Sequence, residues 1–267
     1  MRIITLGTSH GDSTVDRFNS SVIYETADDR LYLIDAGAPV EALIRRKGLK
    51  LRNLRAVFIA HMHDDHAGGL TGLMKQTIKY PDGREFPLRI TLPEEKAIAP
   101  LKAWFAAVHE NPDNPLLEYA SVDDGVVFED EYIRVSAIRT CHLRTRGRSE
   151  GDPCSFAYDL FFKKENRRVL HTSDLTAAYT DFPKIGLEED FDVCITECVH
   201  CKDPQVMIDT LKQGKFGQLI FTHIANKWMT TPLGRWQVED GEKDLLRTFS
   251  SLPYPLRIAH DGDIFWF

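Results

Sequence analysis

The sequence predicts an α/β fold, two β-sheets packed face to face with helices outside, and three observations predict it. Short runs of β-branched and aromatic residues recur along the whole chain, bounded by Gly, Pro and Asp clusters. Between several of them lie longer segments with apolar residues at helical spacing. The order is strands, helix, strand, helices, strands, then strand-helix-strand again, with no repeat, low-complexity tract or linker, so residues 1–267 read as a single domain.

Composition agrees. Hydrophobic residues make up 43% and charged residues 27%, the balance of a soluble globular protein, so disorder is not the default reading. The formal net charge of −7 argues against a general nucleic-acid or membrane-surface binder, which carries a basic excess. No apolar run approaches the ~18 residues of a transmembrane helix, so no membrane partner is expected. Met1 to Gly7 reads as a short strand and a glycine rather than a secretory leader. The five cysteines, Cys141, Cys154, Cys194, Cys198 and Cys201, all lie in the second half, and a cytoplasmic chain with reduced thiols is the expectation. Cys194, Cys198 and Cys201 lack a second close-spaced pair to close a tetrahedral site, so they read as buried or site-lining thiols.

Taken in order, Arg2 to Leu6, Ser21 to Thr26 and Leu31 to Asp35 are strands, the second and third joined by a turn at Asp28-Asp29-Arg30. Val40, Leu43, Ile44 and Leu49 mark a short helix, with Pro39 near its start and Gly48 near its end. Arg55 to Ala60 is an apolar strand, and Ala67 to Ile78 a helix. Leu88 to Leu92 is a strand, and Glu94 to His109 a helix with Ile98, Leu101, Trp104, Phe105 and Val108 on one stripe. Val126 to Phe128, Ile133 to Ile138, Ser155 to Phe162 and Val169 to Thr172 form a second strand-rich block, with a hairpin turn at Glu165-Asn166-Arg167. Val193 to Thr196 is a strand. Asp203-Pro204 is an N-cap and N1 pair for a helix ending at Gly214. Gln218 to Thr222, the helix Gly241 to Phe249, and strands at Leu256 to Ala259 and Ile264 to Phe267 close the chain.

Chemistry concentrates in His61-Met62-His63-Asp64-Asp65-His66, between the Arg55 to Ala60 strand and a glycine-containing helix start. His61 and His63, two apart, can turn to one metal. Asp65 and His66 are adjacent, must point differently and suit a second. Four potential ligands at this spacing are poor core material, because burying them unligated is costly. Imidazole and carboxylate donors suit Zn²⁺, Fe or Mn²⁺, and two such ions about 3.5–4 Å apart can polarise a substrate oxygen and generate a hydroxide nucleophile at neutral pH. Two metals need more ligands, and His142, Asp174 and His223 each follow an apolar strand directly, where a rigid scaffold presents functional loops.

His-x-His-x-Asp-His followed by Ala-Gly-Gly-Leu resembles the metallo-β-lactamase superfamily, and the likeness continues through Leu33 to Gly37, Cys141-His142, Thr172-Ser173-Asp174 and Phe221-Thr222-His223. The resemblance implies an αββα sandwich with a dinuclear site. It implies His61, His63 and His142 on one metal, Asp65, His66 and His223 on the other, and Asp174 bridging; Asp35 matches the family's buried aspartate that orients ligands. Leu6-Gly7-Thr8, Arg17 to Ser21, Ser155 to Leu160 and Ala259 to Gly262 resemble the tRNase Z and cyclic-phosphodiesterase branch. So do Glu197 and His200, the latter 23 residues before His223. A histidine beside the metals can protonate a leaving alkoxide while a carboxylate fixes its orientation.

The chain departs from parts of that branch. Only 32 residues separate His142 from Asp174, too few for the arm that docks tRNA, so nucleic acid is not the expected partner. The N-terminal cysteines of the phosphonate-pathway cyclic phosphodiesterase are missing, as is the β-CASP insertion. Arg144, Arg146 and Arg148 suit a substrate phosphate, since guanidinium binds phosphate oxygens in bidentate fashion, and Lys227 and Trp228 could line the mouth. His10 and His260 are expected outside the site, His109 on the surface, and His171 in the core or behind the ligands.

The expectation is a hydrolase with two divalent ions, Zn²⁺ first with Mn²⁺ or Fe as alternatives, cleaving a small or cyclic phosphodiester. His200, Glu197 and Asp65 are its catalytic residues. A homodimer is compatible with the sequence. The alternatives are hydrolysis of a lactone, thioester or β-lactam at the same residues and, ranked below it, a non-catalytic binding module.

Overall fold

The computed structural model describes residues 1–11, 17–143, 154–224 and 239–267. They form two compact units: Met1–Val122 with Asp261–Phe267, and Asp123–His260.

The first unit holds β1 (Arg2–Gly7), β2 (Ser21–Glu25), β3 (Leu31–Ile34), β4 (Leu54–Phe58), β5 (Leu88–Leu92) and β6 (Leu117–Ser121), together with the last strand of the chain, β14 (Ile264–Trp266). Their order is β14-β1-β2-β3-β4-β5-β6. Pairing is antiparallel from β14 to β3 and parallel from β3 to β6. Parallel neighbours require crossovers. α1 (Val40–Arg46) supplies the first, α2 (Asp64–Ala67) with α3 (Leu70–Lys79) the second, and α4 (Ile98–Ala107) the third. Val40, Leu43 and Ile44 of α1, Leu70, Leu73 and Met74 of α3, and Phe105 of α4 pack with Leu33, Val57, Ile59 and Ile90 in one apolar core. Each side chain fully buried there contributes about 1.5–3 kcal/mol.

The second unit repeats the plan. Its strands are β7 (Gly125–Glu129), β8 (Ile133–Thr140), β9 (Ser155–Phe162), β10 (Arg167–His171), β11 (Asp190–Glu197), β12 (Lys215–Thr222) and β13 (Leu256–Ile258), in the order β13-β12-β11-β10-β9-β8-β7. Pairing is antiparallel from β7 to β10 and parallel from β10 to β13. β8 therefore runs in the same direction as β10, β11 and β12, and the C-terminal ends of all four strands lie along one edge of the sheet. α5 (Ile185–Glu188), α6 (Pro204–Leu211) and α7 (Glu239–Thr248) complete the unit. Met207, Ile208 and Leu211 of α6, Leu245 of α7 and Phe249 just after it pack with Leu170, Cys194, Leu219 and Phe221. Asp203 caps α6 by accepting from Gln205 N, with Pro204 in the first turn.

Several elements differ from the sequence reading. β6 was not expected, because Leu117-Glu118-Tyr119-Ala120-Ser121 alternates too weakly to announce a strand; it forms by extending the parallel ladder of β5. The helix expected over Glu94 to His109 is a 3₁₀ turn at Glu95–Ala97 followed by α4. Its inward stripe is Ile98, Leu101 and Phe105. Trp104 is 61% exposed, since it stands one residue, about 100° of rotation, from buried Phe105. Val108 lies beyond the last helical residue and is exposed as well. The helix expected from Ala67 is preceded by α2, so Asp65 and His66 lie in a helical turn rather than a loop. No helix among the described residues is long and apolar enough to cross a membrane.

Candidate functional site

In the first unit, β3 and β4 are parallel neighbours with Ile34 opposite Phe58, so Asp35 and the segment leading to His61 leave the sheet side by side. Asp35 takes a left-handed backbone conformation, φ 59°, which Asp tolerates better than most residues. Its buried carboxylate works in two directions: Oδ1 accepts from Ala60 N at 2.8 Å, and Oδ2 lies 2.7 Å from His66 Nδ1. Main-chain bonds lock the same corner, Asp35 N to Phe58 O and Ala36 N to His66 O. With His66 Nδ1 carrying its proton toward Asp35, Nε2 keeps a lone pair, and it faces Asp65 Oδ2 at 3.3 Å. His61 Nε2 and His63 Nδ1 converge to 2.9 Å, and the His61 ring lies 4.0 Å from that of His66. Asp65 Oδ2 accepts from Gly11 N at 3.1 Å. Gly37 makes the close approach possible, since a Cβ there would stand 2.4 Å from Asp65 O and 2.5 Å from Asn19 Cβ.

In the second unit, the strand edge gathers five of the predicted residues. His142 follows β8, Asp174 follows β10, Glu197 ends β11 with His200 just beyond, and His223 follows β12. Asp174 is buried, and its Oδ2 stands 3.6 Å from His142 Nε2, 3.9 Å from His200 Nε2 and 3.3 Å from His223 Nε2. His142 Nδ1 lies 3.2 Å from Leu175 O, which selects the tautomer that frees Nε2. Glu197 accepts from Val199 N at 2.6 Å and His200 N at 2.9 Å through Oε2, while His200 Nδ1 is 3.5 Å from the same oxygen. The carboxylate thus holds His200 mainly by its main chain, at the turn that carries the ring.

These donors fit a divalent metal. Two ligand atoms on one tetrahedral Zn²⁺, each 2.0–2.2 Å from it, stand about 3.4 Å apart. The spacings around Asp174 Oδ2 and between His66 Nε2 and Asp65 Oδ2 match that figure. They are longer than direct hydrogen bonds between the same atoms. In the second unit alone, one ligand atom each from His142, Asp174 and His200 lies within 4.8 Å of the others.

The remaining predicted residues divide. Arg144, Arg146, Arg148, Lys227 and Trp228 lie outside the described residues. His171 is buried inside β10. His109, exposed, closes the turn after α4 with φ 65°. His260 Nε2 pairs with Glu242 at 3.1 Å on the surface. Cys194, Cys198 and Cys201 are buried thiols, and burial pushes the Cys194 and Cys201 thiols up.

Two groups with structural work to do carried no role in the sequence reading. Asp261 accepts from Thr8 N, Thr8 Oγ1 and Phe18 N at 2.9, 2.7 and 2.5 Å. It thereby joins the segments that flank Gly11 and Asn19, and burial raises its pKa. Behind the second cluster, Tyr179 Oη meets Thr196 Oγ1 at 2.9 Å, and Thr172 Oγ1 meets the same atom at 3.0 Å. Only the resemblance of the Ala259 to Gly262 turn pointed toward the first; nothing in local pattern marks the second.

A family model described as anti-Pycsar protein Apyc1 matches residues 1–208. The chain belongs to the anti-Pycsar protein Apyc1 family. Membership covers every residue of the His61 to His66 motif and extends through His142, Asp174, Glu197 and His200, while His223 lies beyond the matched span. Among curated proteins, this family member is 30% identical over 146 residues to Ribonuclease Z of Pseudomonas putida, a match covering 53% of this chain and 44% of that protein. The chain thus spans less than half the length of that relative. Among solved structures, human tRNase Z, short form, matches with TM-score 0.72 and 17% identity, covering 100% of this chain and 99% of that one. The metallo-β-lactamase fold protein YhfI from Bacillus subtilis matches with TM-score 0.75 and 16% identity, covering 99% of each chain. The family member has the metallo-β-lactamase fold.

Proposed function

We propose that this chain is a metal-dependent hydrolase that cleaves a small or cyclic phosphodiester. The observation that carries the reading is Asp174: one oxygen of a buried carboxylate faces Nε2 of His142, His200 and His223 at 3.3–3.9 Å. A buried carboxylate ringed by imidazoles at these distances is costly without a cation to share. The proposed ligands are His61, His63, Asp65 and His66 of the first unit and His142, Asp174 and His223 of the second. They would hold two divalent ions, Zn²⁺ first and Mn²⁺ or Fe as alternatives; the assignment follows the family motifs. Such ions, when bound, polarise phosphoryl oxygens and bring the pKa of coordinated water to about 7.

The chain's own groups prepare that chemistry. Asp35 and Leu175 O hold protons on the Nδ1 atoms of His66 and His142, leaving both Nε2 lone pairs for ligation. Glu197 fixes the turn that bears His200. His200 carries the proton for the leaving alkoxide, the role that a histidine near the ligands but outside the proposed set can fill. The net charge of −7 and the short span between His142 and Asp174 support a small substrate over a long polyanion. Arg144, Arg146, Arg148 and Trp228 are the proposed substrate contacts.

The test is metal analysis of the purified chain, followed by assay of an aryl phosphodiester beside an aryl lactone and a thioester with Zn²⁺ or Mn²⁺ supplied. Bound metal and preferential phosphodiester cleavage are expected. A chain that binds no metal, or one that turns over only the carbonyl substrates, overturns the reading.

A further inference from the structure

The Asp181 carboxylate accepts three hydrogen bonds from two separate segments. Oδ2 takes the Cys141 N–H at 2.8 Å; Oδ1 takes the Thr176 N–H at 2.9 Å and the Thr176 hydroxyl at 2.8 Å. Cys141 immediately precedes His142, and Thr176 is two residues past Asp174. The strands that deliver these two residues, β8 and β10, are not ladder neighbours, because β9 lies between them. The ladder therefore relates the turn after β8 to the loop after β10 only through β9, not by direct pairing. Side-chain contacts tie the two segments directly, among them His142 Nδ1 to Leu175 O and the Asp181 staple.

We propose that Asp181 is a positioning residue that fixes the spacing of His142 and Asp174 and so sets how tightly the chain holds its metal. The inference rests on the reading of His142 and Asp174 as ligands. Its chemistry is specific to a carboxylate. All three of its partners are donors, so both oxygens must accept. In Asp181→Asn, one head atom becomes an NH₂ group and meets an N–H or O–H head-on. If the amide oxygen stays with Thr176, the clash falls on Cys141 N, the atom next to His142. Thr176→Val is milder: it removes one of the three donors and leaves the staple to Cys141 intact.

The experiment is a Zn²⁺ titration of the full chain against a chromophoric chelator, for wild type, D181N and T176V, with the thermal midpoint of each metal-free protein measured alongside. Loss of a group that orients ligands typically costs 10–100-fold in metal affinity. D181N is expected in that range, and T176V several-fold weaker than wild type. A residue that served only the stability of the unit would lower the metal-free midpoint and leave the dissociation constant of the folded protein unchanged. Dissociation constants within about twofold of wild type in both variants overturn the inference; should D181N fail to fold, an unchanged constant in T176V does so alone. A wild-type chain that binds no Zn²⁺ overturns the functional reading instead, so the two failures are distinguishable.

Discussion

His66 Nδ1 lies 2.7 Å from Asp35 Oδ2, and this contact decides which imidazole nitrogen keeps its lone pair for the proposed metal. The other Asp35 oxygen is committed to Ala60 N, a donor that cannot reverse its role. Asp35→Asn keeps its carbonyl oxygen for Ala60 and turns its NH₂ toward His66. His66 must then accept through Nδ1 and carry its proton on Nε2, the wrong tautomer for a ligand. Asparagine also tolerates the left-handed backbone at this position, so the fold is not the casualty. We expect D35N to weaken Zn²⁺ binding about 10–100-fold, and more than D35A, which removes the orienting group without enforcing the wrong tautomer. Equilibrium competition with a chelator checks it; D35A weaker than D35N would contradict the tautomer argument.

Gly37 offers a second probe of the same corner. A Cβ there meets Asp65 O and Asn19 C at 2.4 and 2.6 Å, both main-chain atoms that cannot rotate away. Gly37→Ala should therefore displace the turn carrying Asp65 and His66. Overpacking of this kind costs about 1–3 kcal/mol. Urea denaturation of the metal-free chain reads the stability loss, and the chelator assay reads the accompanying fall in affinity. Unchanged affinity in a destabilised G37A would mean that the ligand turn re-seats itself.

Much of this arrangement was legible in the sequence for a physical reason. His61, His63, Asp65 and His66 are crowded into six positions, and His142, Asp174 and His223 each follow an apolar strand, so local pattern alone located them. Asp35 came from resemblance, because a single aspartate after a strand has no pattern of its own. The helical placement of Asp65 and His66 was not legible: α2 is a single turn, too short to show periodicity. Asp181, Asp261 and the Tyr179–Thr196 contact were equally silent, since each acts on segments distant in sequence or on main-chain atoms. β6 escaped because its ladder to β5, rather than its own side chains, makes it a strand.

Alkaline stability follows from three tyrosines. Burial, with help from the nearby Asp113 charge, pushes Tyr119 up to about 12; burial raises Tyr254 and, fully enclosed, Tyr179. Each folded-state pKa exceeds the unfolded value near 10, so the folded chain holds these protons more tightly. Their stabilising contribution is present below pH 10 and is lost as pH rises through the folded-state values, about 12 for Tyr119. Stability should therefore fall between pH 10 and pH 12 in urea melts, with late tyrosinate absorbance at the unfolding step. Tyr119 Oη donates to Pro112 O at 2.9 Å, so Tyr119→Phe should cost about 1 kcal/mol at pH 8 and flatten the alkaline slope. An unchanged slope in Y119F would assign the pH dependence to other groups.

The role given to His200 makes a prediction that depends on the leaving group. A general acid matters most when the departing oxygen is a poor leaving group, and little when that oxygen departs as a stable anion. His200 Nε2 lies 3.9 Å from Asp174 Oδ2, near the proposed ligands, with its turn held by Glu197. His200→Ala should retain its metal and lose about 10²–10⁴-fold in kcat on an alkyl phosphodiester. On a nitrophenyl phosphodiester, whose leaving group needs no proton, the loss should be much smaller. Equal losses on the two substrates would point to ligand or substrate positioning instead, and a variant with reduced metal content would place His200 among the ligands. Undiminished turnover of the alkyl substrate would remove His200 from the chemistry altogether.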